Sequence, residues 1–245
     1  MKAGVKVDIA YNLCFSVNSN AMKLSSSGQS PDRHQVLIRA YNNTILNSGW
    51  RRSKNLKGGS IFVEKNALAS VYNNLIVNCK FMTKTPKLNV PDPDNGADHS
   101  SIVDYNFYAS GSKEAANPNA LGVFIPTSYA GYVFDDEDYW HDGRMGTPKI
   151  DENSLIATSA GAPDPMFVNY GFNTVALEED MYNPTWDFHV QAGSPVVNGA
   201  NGKTPRNAFS GDFAPFFGTT PLITVDGKEY KTPLPSAKYG AFGTN

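Results

Sequence analysis

The sequence predicts an all-β solenoid, and three observations predict it. A repeat of 31 to 32 residues runs through the first half of the chain, Asn is abundant where Leu is scarce, and the apolar segments are short and alternating rather than helical in period. Among 245 residues there are 24 Asn and 13 Leu, an inversion that starves a helical bundle and suits tight turns and stacked side-chain amides. Gly and Pro add 21 and 16 positions, the mark of a turn-rich chain.

The repeat consists of Ile9 to Ser16, Ala40 to Asn47, Val71 to Asn78 and Val103 to Ser110. Anchored on Asn12, Asn43, Asn74 and Asn106, the segments are spaced by 31, 31 and 32 residues. Ile9, Ala40, Val71 and Val103 stand three places before the anchors, and Cys14, Ile45, Ile76 and Tyr108 two places after. A strand, a bend at Asn and a second short strand produce such columns, because Asn tolerates left-handed geometry and its amide can bond to its counterpart in the next turn. No single turn buries its apolar face, but parallel turns stacked about 4.8 Å apart share one interior. The eight flanking residues are therefore the expected core, and the four anchors are expected to stack. Segments such as Gly59 to Glu64 read as further strand.

Formal charge is −2, so no global positive field exists to hold nucleic acid or an anionic membrane surface. No run approaches the ~18 apolar residues of a membrane span, and the first residues lack the apolar core of a secretory signal. Cys14 and Cys79 form no Cys-x-x-Cys pair. Lying two turns apart, roughly 9.6 Å along the stack, they are too distant for a bridge and read as small wall residues.

The second half carries three further motifs: Asp164-Pro165-Met166-Phe167-Val168, the stretch Trp186 to Ala200 containing Asp187-Phe188-His189-Val190 and Gly193-Ser194-Pro195, and Tyr239-Gly240-Ala241-Phe242-Gly243. With the Asn-Asn-x-Ile-x-Asn turns, these resemble the right-handed parallel β-helix family related to pectate lyases, in particular the closing motifs of bacterial secreted β-helix proteins. Asn198 stands where the family has Asp, and Gly243 where it has Glu. The resemblance covers roughly residues 5 to 110 and 164 to 243. It implies one β-helix domain over 1–245, with regular rungs in 1–110, a loop insertion in 111–163, and closing rungs with an irregular cap in 164–245. It also implies an extracellular or cell-surface setting, and a chain that is the C-terminal portion of a longer polypeptide, since a rung begins directly at Val5. His189, outward by its alternation with Phe188 and Val190, is expected to be structural.

Loops between rungs are where function is expected. Pro91 to His99 places Asp92, Asp94 and Asp98 as hard oxygen ligands that could surround Ca²⁺, although an ordinary solvated turn has the same composition and the EF-hand pattern is not met. Tyr129 to Arg144 combines five aromatics and five acids with His141 and Arg144. Such a surface suits sugars, with Tyr139 and Trp140 against pyranose faces, Arg144 on hydroxyls, and His141 beside Asp138 and Asp142 as a weak candidate base. A loop pinned by its aromatics fits the same residues equally well. The basic run Trp50 to Lys57 could neutralise an acidic polysaccharide, but a solvated turn accounts for it too. Asp135-Asp136 is too short a match to the polygalacturonase pattern, and no serine-hydrolase, metallopeptidase or phosphate-loop motif occurs. Two function classes remain: a carbohydrate-active protein, lyase or hydrolase, acting on a polysaccharide, and a non-catalytic solenoid that binds glycan or builds a surface assembly.

Overall fold

A computed structural model of the chain describes residues 4–49, 59–79, 98, 100–109, 153–156, 164–171, 182–198, 223–230 and 234–244. Each repeat supplies one strand to each of two parallel sheets. The first sheet stacks β1 (Lys6–Ala10), β4 (Leu37–Tyr41), β7 (Leu68–Tyr72) and β9 (Ile102–Val103). The second stacks β2 (Leu13–Phe15), β5 (Thr44–Leu46), β8 (Leu75–Val77), β10 (Phe107–Ala109) and β11 (Leu155–Ile156). A third pairs β3 (Asn20–Ser25) with β6 (Gly59–Glu64), also in parallel. We call the strands of one repeat a rung. The architecture is all-β with stacked parallel strands, and it is compatible with a solenoid.

Register follows the repeat. Ile9 lies beside Ala40, Ala40 beside Val71 and Val71 beside Val103. Cys14, Ile45, Ile76 and Tyr108 form the matching column of the second sheet. All eight belong to one apolar cluster, six of them buried and Ile9 and Cys14 half-buried. Met22, Leu24, Ile61 and Val63 of the third sheet complete the cluster, so three sheets face a common interior. Each buried Ile or Leu there contributes about 1.5 to 3 kcal/mol relative to exposure.

The anchors stack as expected. Asn12 Nδ2 donates to Asn43 Oδ1 at 2.9 Å, Asn43 Nδ2 to Asn74 Oδ1 at 2.9 Å, and Asn74 Nδ2 to Asn106 Oδ1 at 3.0 Å. Each receiving oxygen also accepts the backbone N–H of the preceding anchor, and each receiving amide donates back to a carbonyl of the preceding rung, Ile9, Ala40 or Val71. The buried Asn43 and Asn74 side chains thus fill both donor and both acceptor places, the condition for burying an amide without a desolvation cost. The row ends where the backbone N–H of Asn106 turns to Ser154 Oγ at 2.9 Å.

The bend itself sits one residue earlier than the sequence expectation. Tyr11, Asn42, Asn73 and Tyr105 take left-handed φ of 57°, 49°, 56° and 54°, and the anchors that follow them do not. A second left-handed position falls at Ser16, Asn47 and Asn78, four places after Asn12, Asn43 and Asn74. In Asn42-Asn43 and Asn73-Asn74 the two amides therefore divide the work: the first turns the chain and faces outward, the second joins the row.

The C-terminal part is built differently from the rung stack. There β12 (Phe167–Asn169) and β13 (Asp187–Val190) pair antiparallel, followed by the one-turn helix α1 (Pro195–Asn198), and β14 (Ile223–Val225) pairs with β15 (Lys228–Tyr230) as an antiparallel hairpin. The physical reason lies in the outer face of the second sheet, where Leu46, Leu75, Val77, Phe107 and Ala109 are apolar. Phe167, Tyr170, Phe188, Val190, Val196 and Tyr239 cover that face as a second cluster, so these strands form a lid on the wall instead of lengthening it.

Candidate functional site

Alternation along the first sheet turns Asp8, Arg39 and Ser70 outward in one column and Ala10, Tyr41 and Tyr72 in the next. This outer face gathers a guanidinium, a carboxylate and stacked phenols. Tyr41 and Tyr72 stack at 5.3 Å with planes 19° apart, and Tyr11 meets Tyr41 edge-on at 6.4 Å. Burial is the largest influence on each. It pushes the Tyr41 and Tyr72 hydroxyls far above the usual phenol range, with the Asp8 carboxylate raising them further, and it lowers the Arg39 guanidinium against the opposing pull of Asp8. At neutral pH the tyrosines are hydrogen-bond donors and not bases. Such a set can hold an anionic or hydroxyl-rich group, but Arg39 is only 5% exposed and both stacked tyrosines are fully buried, so the groups are enclosed as they stand. Sequence reasoning had not singled out Asp8, Arg39, Tyr41 or Tyr72; the recurrence of Tyr at 41 and 72, next to inward Ala40 and Val71, was the available signal.

Of the expected calcium ligands, Asp98 is described and Asp92 and Asp94 lie outside the described residues. Asp98 is built into the rung stack: Oδ2 accepts from Gln35 Nε2, Oδ1 from the Ser100 N–H at 2.8 Å, and its own N–H donates to the Ala67 carbonyl at 3.0 Å. The saccharide candidates Tyr139, Trp140, His141 and Arg144, with the rest of Tyr129 to Arg144, and the basic run Trp50 to Lys57 also lie outside the described residues. Among the described residues, no three His, Cys, Asp or Glu side chains form a group that could hold a metal.

His189 has the outward, half-exposed place its alternation implied. Its Nδ1 lies 2.6 Å from Asp187 Oδ1, which also accepts the His189 backbone N–H, and its ring meets Phe242 edge-on at 5.3 Å. The pair orients a strand end. The three closing motifs, far apart in sequence, converge here: Ser194 Oγ donates to the Pro165 carbonyl at 2.7 Å, the Gln191 N–H to Met166, and the Val190 N–H to the Gly243 carbonyl. Residues 234–241 then strap the outward bends. Asn42 Nδ2 donates to the Lys238 carbonyl at 2.6 Å, Asn73 Nδ2 to the Ser236 carbonyl at 2.9 Å, and Tyr11 Oη to the Leu234 carbonyl at 2.7 Å. Gly240, at φ 73°, presses on the wall so closely that a Cβ would stand 2.6 Å from Thr44 Oγ1 and 2.8 Å from Leu75 Cβ.

Neither thiol is activated. Burial pushes Cys79 up to about 12 and raises Cys14 as well, and both cysteines are free. No helix among the described residues is long and apolar enough to cross a membrane. No family model, no curated protein and no solved structure matches the chain.

Proposed function

We propose that the chain is a right-handed parallel β-helix of the pectate-lyase-like kind with an irregular C-terminal cap, acting on a polysaccharide outside the cell or at its surface. One observation supports this reading: rungs spaced 31 or 32 residues apart are joined by an asparagine row, and the three segments whose sequences resemble the family's closing motifs bond to one another. In the catalytic form of the reading, polysaccharide lyase or glycoside hydrolase, Tyr139, Trp140, His141 and Arg144 bind the saccharide, with His141 and Arg144 as weak candidates for the chemistry. Asp92, Asp94 and Asp98 hold Ca²⁺.

A second reading, a non-catalytic glycan-binding or structural solenoid, is favoured by a different observation. Three acid–base groups of the described residues are engaged in structure: His189 on Asp187, Asp98 on Gln35 and Ser100, and Arg39 enclosed on the outer face. A screen of acidic and neutral polysaccharides, following unsaturated uronate absorbance and reducing ends together, separates the two. Uronate absorbance identifies a lyase, reducing ends alone a hydrolase, and retention of a glycan without either product identifies the binding solenoid. Failure to bind or cleave any polysaccharide overturns the catalytic and the glycan-binding readings and leaves the structural solenoid. Chelation tests the metal: with Ca²⁺ bound it lowers Tm, a bound ion at a hundredfold excess over Kd being worth ~2.7 kcal/mol. An unchanged Tm with EDTA and with added Ca²⁺ leaves an ordinary turn.

A further inference from the structure

We propose that the Lys238 ammonium, on the strap that crosses the outer wall, is an anchoring subsite for the carboxylate of an acidic sugar. The inference rests on the polysaccharide reading and gives it a place of attachment away from the loop of Tyr139 to Arg144. Lys238 differs from other cations of the described residues. Lys23 Nζ pairs with Glu64 Oε1 at 2.8 Å, Arg39 is opposed by Asp8, and Lys6 and Arg33 stand exposed to water. Lys238 is half-buried, and among the described residues no carboxylate and no hydrogen-bond acceptor meets its Nζ. Burial alone acts on its charge and lowers its pKa, with no acid nearby to oppose the shift.

The strap fixes this ammonium in place. Its own carbonyl accepts from Asn42 Nδ2 at 2.6 Å, the Tyr239 N–H that follows donates to the Val196 carbonyl at 2.9 Å, and the Gly240 N–H donates to the Asn73 carbonyl at 2.8 Å. Nζ lies 5.8 Å from the centroid of the Tyr11 ring, which is itself held by its hydroxyl on the Leu234 carbonyl. Gly243 also faces it: a Cβ there would stand 3.5 Å from Nζ, and the bare glycine leaves that space open. A ring face compensates only part of a half-desolvated charge, and an anion supplies the rest. A lone ammonium matches the single charge of a carboxylate. A phosphate dianion would call for further cations, and no second cation acts on Lys238.

The probes are an alginate tetramer and the same tetramer with its carboxylates reduced to alcohols, titrated into the full 245-residue chain. The acidic tetramer is expected to bind about tenfold more tightly than the neutral one. Lys238→Gln is expected to remove that preference while leaving the weaker binding of the neutral tetramer unchanged, so that a loss of fold would be told apart from a loss of charge. Gly243→Glu tests the same site by filling it. Gly243 does not take a positive φ, so a side chain fits there, and its carboxylate is expected to pair with Lys238, to raise Tm and to weaken the acidic tetramer alone. Equal binding of the two tetramers, or an acidic preference that survives Lys238→Gln or Gly243→Glu, overturns the subsite and leaves the glycan reading standing. If neither tetramer binds, and no polysaccharide in the wider screen does, the subsite and the glycan reading fall together; if another glycan binds without an acidic preference, the subsite falls alone.

Discussion

The rung stack and the C-terminal lid are held together by opposite means. In the stack, equivalent residues lie one strand apart and satisfy one another, so that Asn43 meets Asn74 and Ile45 meets Ile76. In the lid nothing repeats: Trp186, Phe188, Tyr170 and Phe15 meet at ring distances of 5.0 to 6.4 Å, mostly edge-on, and single bonds such as Ser194 to Pro165 fix the chain. A repeating structure spreads its specificity over columns, whereas a unique one concentrates it in a few residues. The first should lose stability in proportion to depth within the row, and the second should come loose as a unit.

The largest expected effect breaks the row. Asn74→Asp puts a carboxylate where two donors were, against the Ala40 carbonyl and Asn106 Oδ1, in a fully buried site. Denaturant melts should show a loss of about 3 to 5 kcal/mol. Burial among acceptors raises that carboxyl above its unfolded range near ~4, so the folded state prefers the proton, and stability should fall as pH rises through and above that range. Partial recovery at acid pH checks the sign. Asn12→Ala, at the exposed end, should cost only about 1 kcal/mol.

Phe188→Ala sharpens the other side of the comparison. At 4% exposure, with Phe15, Phe167, Tyr170 and Phe242 around it, its loss should cost about 3 to 5 kcal/mol. Hydrogen exchange should quicken in β12, β13 and the strap while the amides of β4, β5, β7 and β8 keep their protection. Equal loss of protection in both regions would show them to be one cooperative unit.

Gly240→Ala should cost about 2 to 4 kcal/mol, from left-handed strain together with the contacts on Thr44 and Leu75. Gly227→Ala, also at positive φ but with nothing within 4 Å of the added carbon, should show the strain alone, about 1 kcal/mol. The smallest effect is chemical. Alkylation in the native state should label Cys14 before Cys79, whose thiol is fully enclosed and bonded to the Ile45 and Val77 carbonyls.

The rungs were legible because their information is periodic. A column of Ile9, Ala40, Val71 and Val103 announces both its own burial and its neighbours, and the Asn anchors announce the row. The bend position was missed by one residue, because an Asn-Asn pair offers two residues able to turn left-handed and the sequence does not say which also bonds along the stack. The antiparallel lid was not legible either: Phe167, Phe188 and Val190 alternate as any strand does, and only the apolar outer face made by Leu46, Val77 and Ala109 determines that they cover the wall. The buried Arg39, Tyr41 and Tyr72 went unremarked because outward positions ordinarily meet solvent. The aromatic loop and two of the three candidate calcium ligands lie outside the described residues, so their sequence reading stands as a proposal.

The asparagine row also has a direction. Every side-chain carbonyl from Asn43 to Asn106 points toward the first rung, and Asn12, Asn43 and Asn74 each turn one amide hydrogen toward the next anchor, so the carbonyl dipoles add head to tail along the stack. Each bond in such a file polarises the next and strengthens it. Turning any one amide over would set oxygen against oxygen on one side and hydrogen against hydrogen on the other. The orientation of each amide is thus fixed by all the rest, and the file carries a fixed partial negative pole to Asn12 and a positive pole to the rung at Ser154.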